Sequence, residues 1–397
     1  MNIKTVFDYK EKCSGCGACA DICKACAIDM QADDLGFEYP VIDPEKCISC
    51  GKCRRLCHMG NNQLFHPAAE KVWALQSKNK DILKTSQSGG AFAELARHII
   101  KNNGVVYGAA FTQVFDVQHI RADSTEKLQK LYGSKYIQSK TDGIFLQVKA
   151  DLDSGTTVLF SGTPCQIAAL NSFLGLVPKN LFTVEVVCHG VPSPKLWRDY
   201  LAYIQNEHGT ILSATSRDKR YGWHSHYEHF KTKNGSVRGN VYRKIFYKNV
   251  LLRPCCYSTK DGYFYPQCRY AGSSRTADLT IGDFWGIELT SSSIKDDDTG
   301  ISLMLINTVQ GQLLFDITAN SFVTETHDYE AAAVKNPHLK LQLTTGGIPL
   351  QKVFKARKLY TEKGFAVVAK KYAEIGTSGF FVKGLRWVRS VVKKRIK

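Results

Sequence analysis

The rhythm of apolar and polar positions changes along the chain. The first sixty or so residues carry little periodicity beyond GFEYPVID, which alternates like a short strand. From Lys71 the rhythm sharpens. VWALQ reads as a strand, and AFAELARHIIKNNG has apolar residues at helical spacing with an Asn-Gly stop. VVYGAAF is a strand, STEKLQKLYG a short helix and residues 144–152 a helix. TTVLFSG is a buried strand, and PCQIAALNSFLG a helix with Pro at its start and Gly at its end. LFTVEVVCHG is another buried strand, followed by the helix PKLWRDYLAYIQNEHG. Such alternation predicts an α/β unit with mostly parallel strands. After about residue 210 the pattern turns β-rich (ILSATS, HYEHFKT, GSVRGNVY, ADLTIGDFWG, SLMLINT) and the last segment is helical, rich in Lys and Arg.

These changes predict an α+β multidomain chain. A first, weakly periodic unit spans 1–65, an α/β body with a β-rich second half spans 66–155 and 156–345, and a basic helical tail spans 346–397. His66-Pro67 marks the linker after the first unit.

Cysteines change the picture most. Of fourteen, nine fall before residue 60 and five between 165 and 268. Tight clusters without a secretory context point to metal ligands in a reducing cell. Cys13-x2-Cys16-x2-Cys19-x3-Cys23 recurs as Cys47-x2-Cys50-x2-Cys53-x3-Cys57. This is the spacing of two four-iron, four-sulfur clusters of the bacterial ferredoxin type. Three close cysteines hold three corners of one cubane and the fourth reaches the other cluster. One cluster is therefore assigned to Cys13, Cys16, Cys19 and Cys57, the other to Cys47, Cys50, Cys53 and Cys23. Zinc also accepts four cysteines, but usually as separated pairs. The Pro usual after the fourth Cys is replaced by Lys24 and His58. Cys26 is left over and reads as a buried free thiol.

Cys165 and Cys188 each follow a buried strand, where open α/β sheets bind ligands. Cys255, Cys256 and Cys268 lie in a loop-like stretch. Cys165, Cys188, Cys256 and Cys268 together are enough for a third cubane. The same residues admit other readings: Cys165 as a low-pKa nucleophile with His189 as its base, or plain core cysteines.

SQSGGAFAELA, LYGSKYIQS, FSGTPCQIAAL, VCHGVPSPKLW, RDKRYGW, LRPCCY and ADLTIGDFWGI resemble, in that order, the beta subunit of the coenzyme F420-reducing hydrogenase/dehydrogenase family, over roughly residues 70–340. Members similar to this chain carry an N-terminal ferredoxin domain. The resemblance implies that the α/β body binds FAD and one 4Fe–4S cluster, three clusters in all. The acceptor would be the deazaflavin coenzyme F420 or another small molecule. It maps the third cluster to Cys165, Cys188 and a Cys-x-x-Cys pair in the RP-x-C segment. Thr259 stands where the second Cys of that pair is expected. Cys268 then follows an insertion of about nine residues, and the choice between Cys255 and Cys256 stays open.

For the flavin, Ser88, Gly89 and Gly90 open a helix whose amides suit a phosphate, though Ser and Gly are also ordinary caps. Lys135 could neutralise a pyrophosphate. Arg217, Arg253, Trp223, Trp285 and Asp283 sit in the family motifs. The Arg and Trp side chains could stack on a ring, and Asp283 could orient a polar cofactor group. The G-x-G-x-x-G fingerprint of a nicotinamide site is missing.

Of the net +17 charge, +12 lies between Gln351 and Lys397, which argues against a general nucleic-acid surface. Phe381, Leu385, Val388, Val392 and Ile396 recur on one helical face, with Lys383, Arg386, Arg389, Lys393 and Lys394 mainly on the others. With Trp387 this suits an anionic membrane surface, or equally packing on the chain's own body or on an acidic partner. The opening MNIKTVFDYKEKC is unlike a signal peptide and no run reaches ~18 apolar residues. A cytoplasmic protein is expected; on the membrane reading, one of these alternatives, the tail is a peripheral contact on the inner membrane surface.

Two functions fit. One is an iron–sulfur flavin oxidoreductase, taking electrons from ferredoxin or a dehydrogenase subunit. The other is a relay subunit without substrate chemistry of its own. A non-redox zinc or assembly module is the third alternative.

Overall fold

The computed structural model describes residues 6–374 other than residues 8, 61–64, 68, 70, 267, 291 and 341–346. Eight strands form one mixed sheet in the order Phe322–Asp328, Lys71–Ser77, Ser302–Ile306, Leu279–Asp283, Leu181–Val186, Val158–Gly162, Val105–Phe111, Val117–Ala122. The four strands from Leu279–Asp283 to Val105–Phe111 run parallel. Their apolar runs are buried on both faces. Val106, Leu159 and Val184 pack with the helices Ala91–Lys101 and Val309–Thr318. Val105, Tyr107, Val158 and Phe160 pack with the helices Ile144–Asp153 and Pro164–Leu174.

The mostly parallel sheet is corrected here. Every other ladder of the sheet is antiparallel: Val117–Ala122 at one edge, and Ser302–Ile306, Lys71–Ser77 and Phe322–Asp328 at the other. A buried apolar run such as SLMLI looks the same whichever way its neighbour runs. The β-rich second half also resolves differently. Leu279–Asp283 and Ser302–Ile306 complete the main sheet, so segments 66–155 and 156–345 share one sheet. Ile211–Thr215, Glu228–Thr232 and Gly235–Gly239 form a separate antiparallel sheet. GSVRGNVY is strand only to Gly239. Val241–Tyr247 is a helix that buries Val241, Tyr242, Ile245 and Phe246, which share one helical face.

In the N-terminal unit Ile28–Ala32 pairs with Glu38–Ile42, and the short helices Ala18–Asp21 and Lys52–Leu56 start from Gly17 and Gly51, both left-handed. The unit is stitched to the larger body. Asp21 accepts the Gly143 and Phe145 amides, capping the helix Ile144–Asp153. Thr141 Oγ1 donates to Cys16 O at 2.6 Å and Gln138 Nε2 to Ser14 O at 2.7 Å. Phe37 and Tyr39 join a core with Leu196 and Trp197. His66, expected in a linker, donates its amide to Arg275 O at 2.7 Å.

The helix Leu350–Ala373 breaks at Gly364 and packs Ala356 and Tyr360 against Tyr242 and Ile245. The basic amphipathic stretch beyond it lies outside the described residues. Among the described residues no helix is long and apolar enough to cross a membrane.

A Cβ on Gly89 would collide with the Leu75 carbonyl and come within 2.6 Å of Ser302 N, whereas one on Gly60 meets nothing within 4 Å. Thermal melting should therefore show Gly89→Ala destabilised by about 3 kcal/mol and Gly60→Ala within about 0.5 kcal/mol of the parent.

Candidate metal centres and the cavity beside them

The cysteines fall into three neighbouring sets. The Cys16 thiol faces those of Cys13 and Cys57, and Cys19 faces all three. Cys53 faces Cys23 and Cys47. The fourth cysteine of each run thus lies among the thiols of the other run. Cys50 is exposed on the loop before the helix Lys52–Leu56. Cys26, expected to be buried, is exposed with a left-handed backbone. Its turn lets the Ala27 amide point at Cys23 Sγ, at 3.4 Å.

The third set gathers from three places. Cys165 follows the strand Val158–Gly162 in the first turn of a helix started by Pro164, and Cys188 follows the strand Leu181–Val186. Cys165 faces Cys188, Cys255 and Cys268, and Cys256 faces Cys188 and Cys268. The residues between Cys256 and Cys268 form a hairpin, Ser258–Lys260 with Tyr263–Tyr265, which turns the chain back to the site. Both Cys255 and Cys256 are in the set. Cys255 is held below the ordinary thiol range by a hydrogen bond from Cys256 and, against its burial, by Arg253. Burial, with neighbouring thiols adding to it, pushes Cys16 and Cys188 up to about 12. Thiolates at such positions require a strong local cation, which suits iron. The amides of Gly15 and Tyr270 point at Cys13 and Cys268, each at 3.4 Å. Among the described residues no three Cys, His, Asp or Glu side chains close around one ion-sized point.

The sets run in series. Cys19 faces Cys53 of the second set, and Cys13 faces Cys255 of the third. Arg253 and Tyr270 occupy the second junction. Fully buried, Arg253 donates from Nε to Cys13 O at 2.8 Å, from Nη2 to Glu38 O at 2.7 Å and from Nη1 to Gln138 Oε1 at 3.0 Å. Tyr270 bonds His58, whose Nε2 meets Ser14 Oγ at 3.0 Å, and its phenol faces both Cys16 and Cys165. Burial pushes His58 down to about 3, so it stays neutral.

Beside the third set lies a cavity of about 330 Å³, lined by all five of its thiols. Of the predicted flavin residues, Ser88, Gly90, Lys135, Arg253 and Asp283 line it; Gly89 and Arg217 stand behind. The helix begins at Ala91 with Gly90 as a left-handed cap. Gly89 spends its amide on Ser302 Oγ at 2.9 Å, and Ser88 Oγ donates to Ile301 O at 2.6 Å. Lys135 Nζ donates to Lys130 O and Tyr132 O, both at 2.9 Å, and burial lowers it to about 7. Arg217 donates to Asp283 Oδ2 and to Trp223 O, both at 2.6 Å. Trp223 Nε1 donates to Asp283 Oδ1 at 2.8 Å and its indole stacks on Trp285 at 4.4 Å. Burial would raise the Asp283 carboxyl, but Arg217 and these hydrogen bonds hold it below the usual range.

Sequence reasoning missed Ser86, Gln87, Arg243 and the Glu185–Arg275 pair. Ser86 Oγ, Gln87 Nε2 and two nitrogens of Arg243 are buried without partners, and all three residues line the cavity. Arg275 binds Glu185 inside the fold and donates to Tyr270 O and Gly272 O, holding the loop that follows Cys268. A lone Glu in the apolar strand LFTVEV was the available signal for the pair.

Residues 155–332 match the family model for the C terminus of the coenzyme F420 hydrogenase/dehydrogenase beta subunit, and residues 12–61 match the 4Fe-4S dicluster domain. Among solved structures, a chain of the xenon-derivatised F420-reducing NiFe hydrogenase complex from Methanosarcina barkeri is 18% identical; the match covers 76% of this chain and 93% of that chain, with a TM-score of 0.42. No curated protein matches the chain.

Asp283→Asn would leave the Arg217 guanidinium buried without its counter-charge. The expected loss is about 3–5 kcal/mol, read by thermal unfolding at neutral pH. Because the folded carboxyl titrates below its unfolded value, its contribution is complete above the usual carboxylate range and is lost as pH falls through the folded value. Parent and variant should therefore converge in acid.

Proposed function

We propose that this chain, which through residues 155–332 belongs to the coenzyme F420 hydrogenase/dehydrogenase beta subunit family and at 12–61 carries a 4Fe-4S dicluster domain, is an oxidoreductase that moves electrons between an external one-electron donor and a two-electron acceptor in the cavity. The series order of the three thiol sets, ending on that cavity, is the observation that supports this reading. Cys13, Cys16, Cys19 and Cys57 would hold one 4Fe–4S cluster, and Cys23, Cys47, Cys50 and Cys53 a second. Cys165, Cys188, Cys268 and one of Cys255 and Cys256 would hold a third.

The cavity supports FAD as the bound group. It has apolar walls and unpartnered polar atoms on Ser86, Gln87 and Arg243, with Ser88 and Lys135 on its lining. When bound, a flavin supplies the exchange between single electrons and a hydride. The protein's own residues set the conditions. Thiols gathered at the ends of two parallel strands would hold a cluster against the cavity wall. Lys135, near neutrality in its pocket, can take up a proton as negative charge enters the cavity. Arg253 and the neutral His58–Tyr270 pair keep the junction between the first and third sets packed and dry. The donor would be a ferredoxin or a dehydrogenase subunit, and the acceptor coenzyme F420 or another small molecule.

Iron, sulfide, zinc and flavin measured on one anaerobically purified sample test this. About twelve irons per chain, counted as four per cubane, are expected with one FAD. Cys165→Ser should remove about four irons and leave the ferredoxin-type clusters in place. Eight irons without flavin, on the same count, would withdraw the enzyme reading and leave a relay or scaffold.

A further inference from the structure

Arg243 lies in the helix Val241–Tyr247 and is 4% exposed, with its side chain on the cavity. Nη2 donates to the Tyr247 hydroxyl at 2.8 Å, but Nε and Nη1 meet no acceptor. A buried cation is costly unless an anion answers it. The carboxylates around it are engaged elsewhere. Asp283 is held by Arg217 and Trp223. Glu228 accepts the backbone N–H of Arg243 at 2.9 Å rather than its guanidinium; burial outweighs the attraction of the Arg243 charge and raises that carboxyl to about 7. The rings of Tyr136 and Tyr247 flank the guanidinium, with centroids at 4.9 and 5.2 Å. They offer it π-faces but no negative charge. Its field falls on His189 and His226, and Arg217 adds its own positive charge at His226. This end of the cavity is therefore short of one negative charge.

We propose that Arg243 is an anion seat, its unpartnered Nε and Nη1 donating to a carboxylate or phosphate of the molecule bound in the cavity. The inference rests on reading the cavity as the flavin and acceptor site. Two sources could supply the anion: the phosphates of the flavin dinucleotide, or an acidic group on the acceptor. Either would be recognised through charge-assisted hydrogen bonds, which are stronger and more selective than neutral ones.

The test uses the full chain purified anaerobically, stripped of flavin, and its Arg243→Gln and Arg243→Lys variants. Each is assayed for iron, then titrated with FAD, with riboflavin and with inorganic pyrophosphate, read by flavin and tryptophan fluorescence. Arg243→Gln is expected to weaken one anionic probe about 10- to 100-fold and leave riboflavin unchanged, with Arg243→Lys recovering part of the loss. A loss for FAD but not riboflavin assigns the seat to the flavin phosphates. Unchanged FAD with weakened pyrophosphate on the flavin-loaded protein assigns it to the acceptor. If the parent bound neither flavin but bound pyrophosphate through Arg243, the seat would stand and the flavin reading would fall. Equal binding of every probe by parent and Arg243→Gln, no binding of any probe, or loss of iron in both variants would overturn the proposal.

Discussion

The architecture turns on a buried guanidinium. Arg253 has no solvent exposure, and its oxygen acceptors are two backbone carbonyls and an amide oxygen, none of them charged. Neutral acceptors satisfy its protons but not its charge. The charge is answered by sulfur: Cys13 Sγ lies 4.0 Å from Nη2, and Cys255 and Cys256 also face it. One side chain thus joins the N-terminal unit to the larger body and places positive charge between two thiol sets. Repulsion between thiolates of the two sets would otherwise oppose their close approach. The rings of Phe37 and Tyr39 cover the guanidinium at 5.4 and 4.5 Å and keep water from it.

Two other buried pairs play a comparable part at the ends of the parallel strands. Glu185 with Arg275 holds the loop after Cys268, and Asp283 with Arg217 and Trp223 builds a rigid wall on the cavity. Buried pairs of this kind add little net stability but are costly to break, so they fix geometry more than they strengthen the fold. The third thiol set has that need, since its cysteines come from three distant stretches of chain.

The sequence made the chemistry legible where spacing is local. The two C-x2-C-x2-C-x3-C runs point to two thiol sets, and the structure groups Cys57 with Cys13, Cys16 and Cys19, and Cys23 with Cys47 and Cys53. Helices such as Ala91–Lys101 and Pro164–Leu174 were readable from periodicity and caps. Strand direction was not, because SLMLI is apolar throughout whether its partner is parallel or antiparallel. Nor were the roles of motif residues. Arg253 sits in the family motif, yet its guanidinium is bound up with the N-terminal unit. Gly89 is glycine because backbone crosses backbone there, and its amide is already taken by Ser302. Arg243, in an ordinary VYRKIFY, shows its isolation only once folding has surrounded it with tyrosines.

The series arrangement of the three thiol sets would carry electrons from one to the next and on to the cavity. Stopped-flow flavin reduction by reduced ferredoxin, compared between the parent and a Cys16→Ser variant that keeps the third set intact, tests it most directly. With passage in series, the variant falls to the rate of a ferredoxin-free control while its flavin remains reducible by dithionite. An unchanged rate with ferredoxin would contradict it, because electrons would then reach the cavity without crossing the first set.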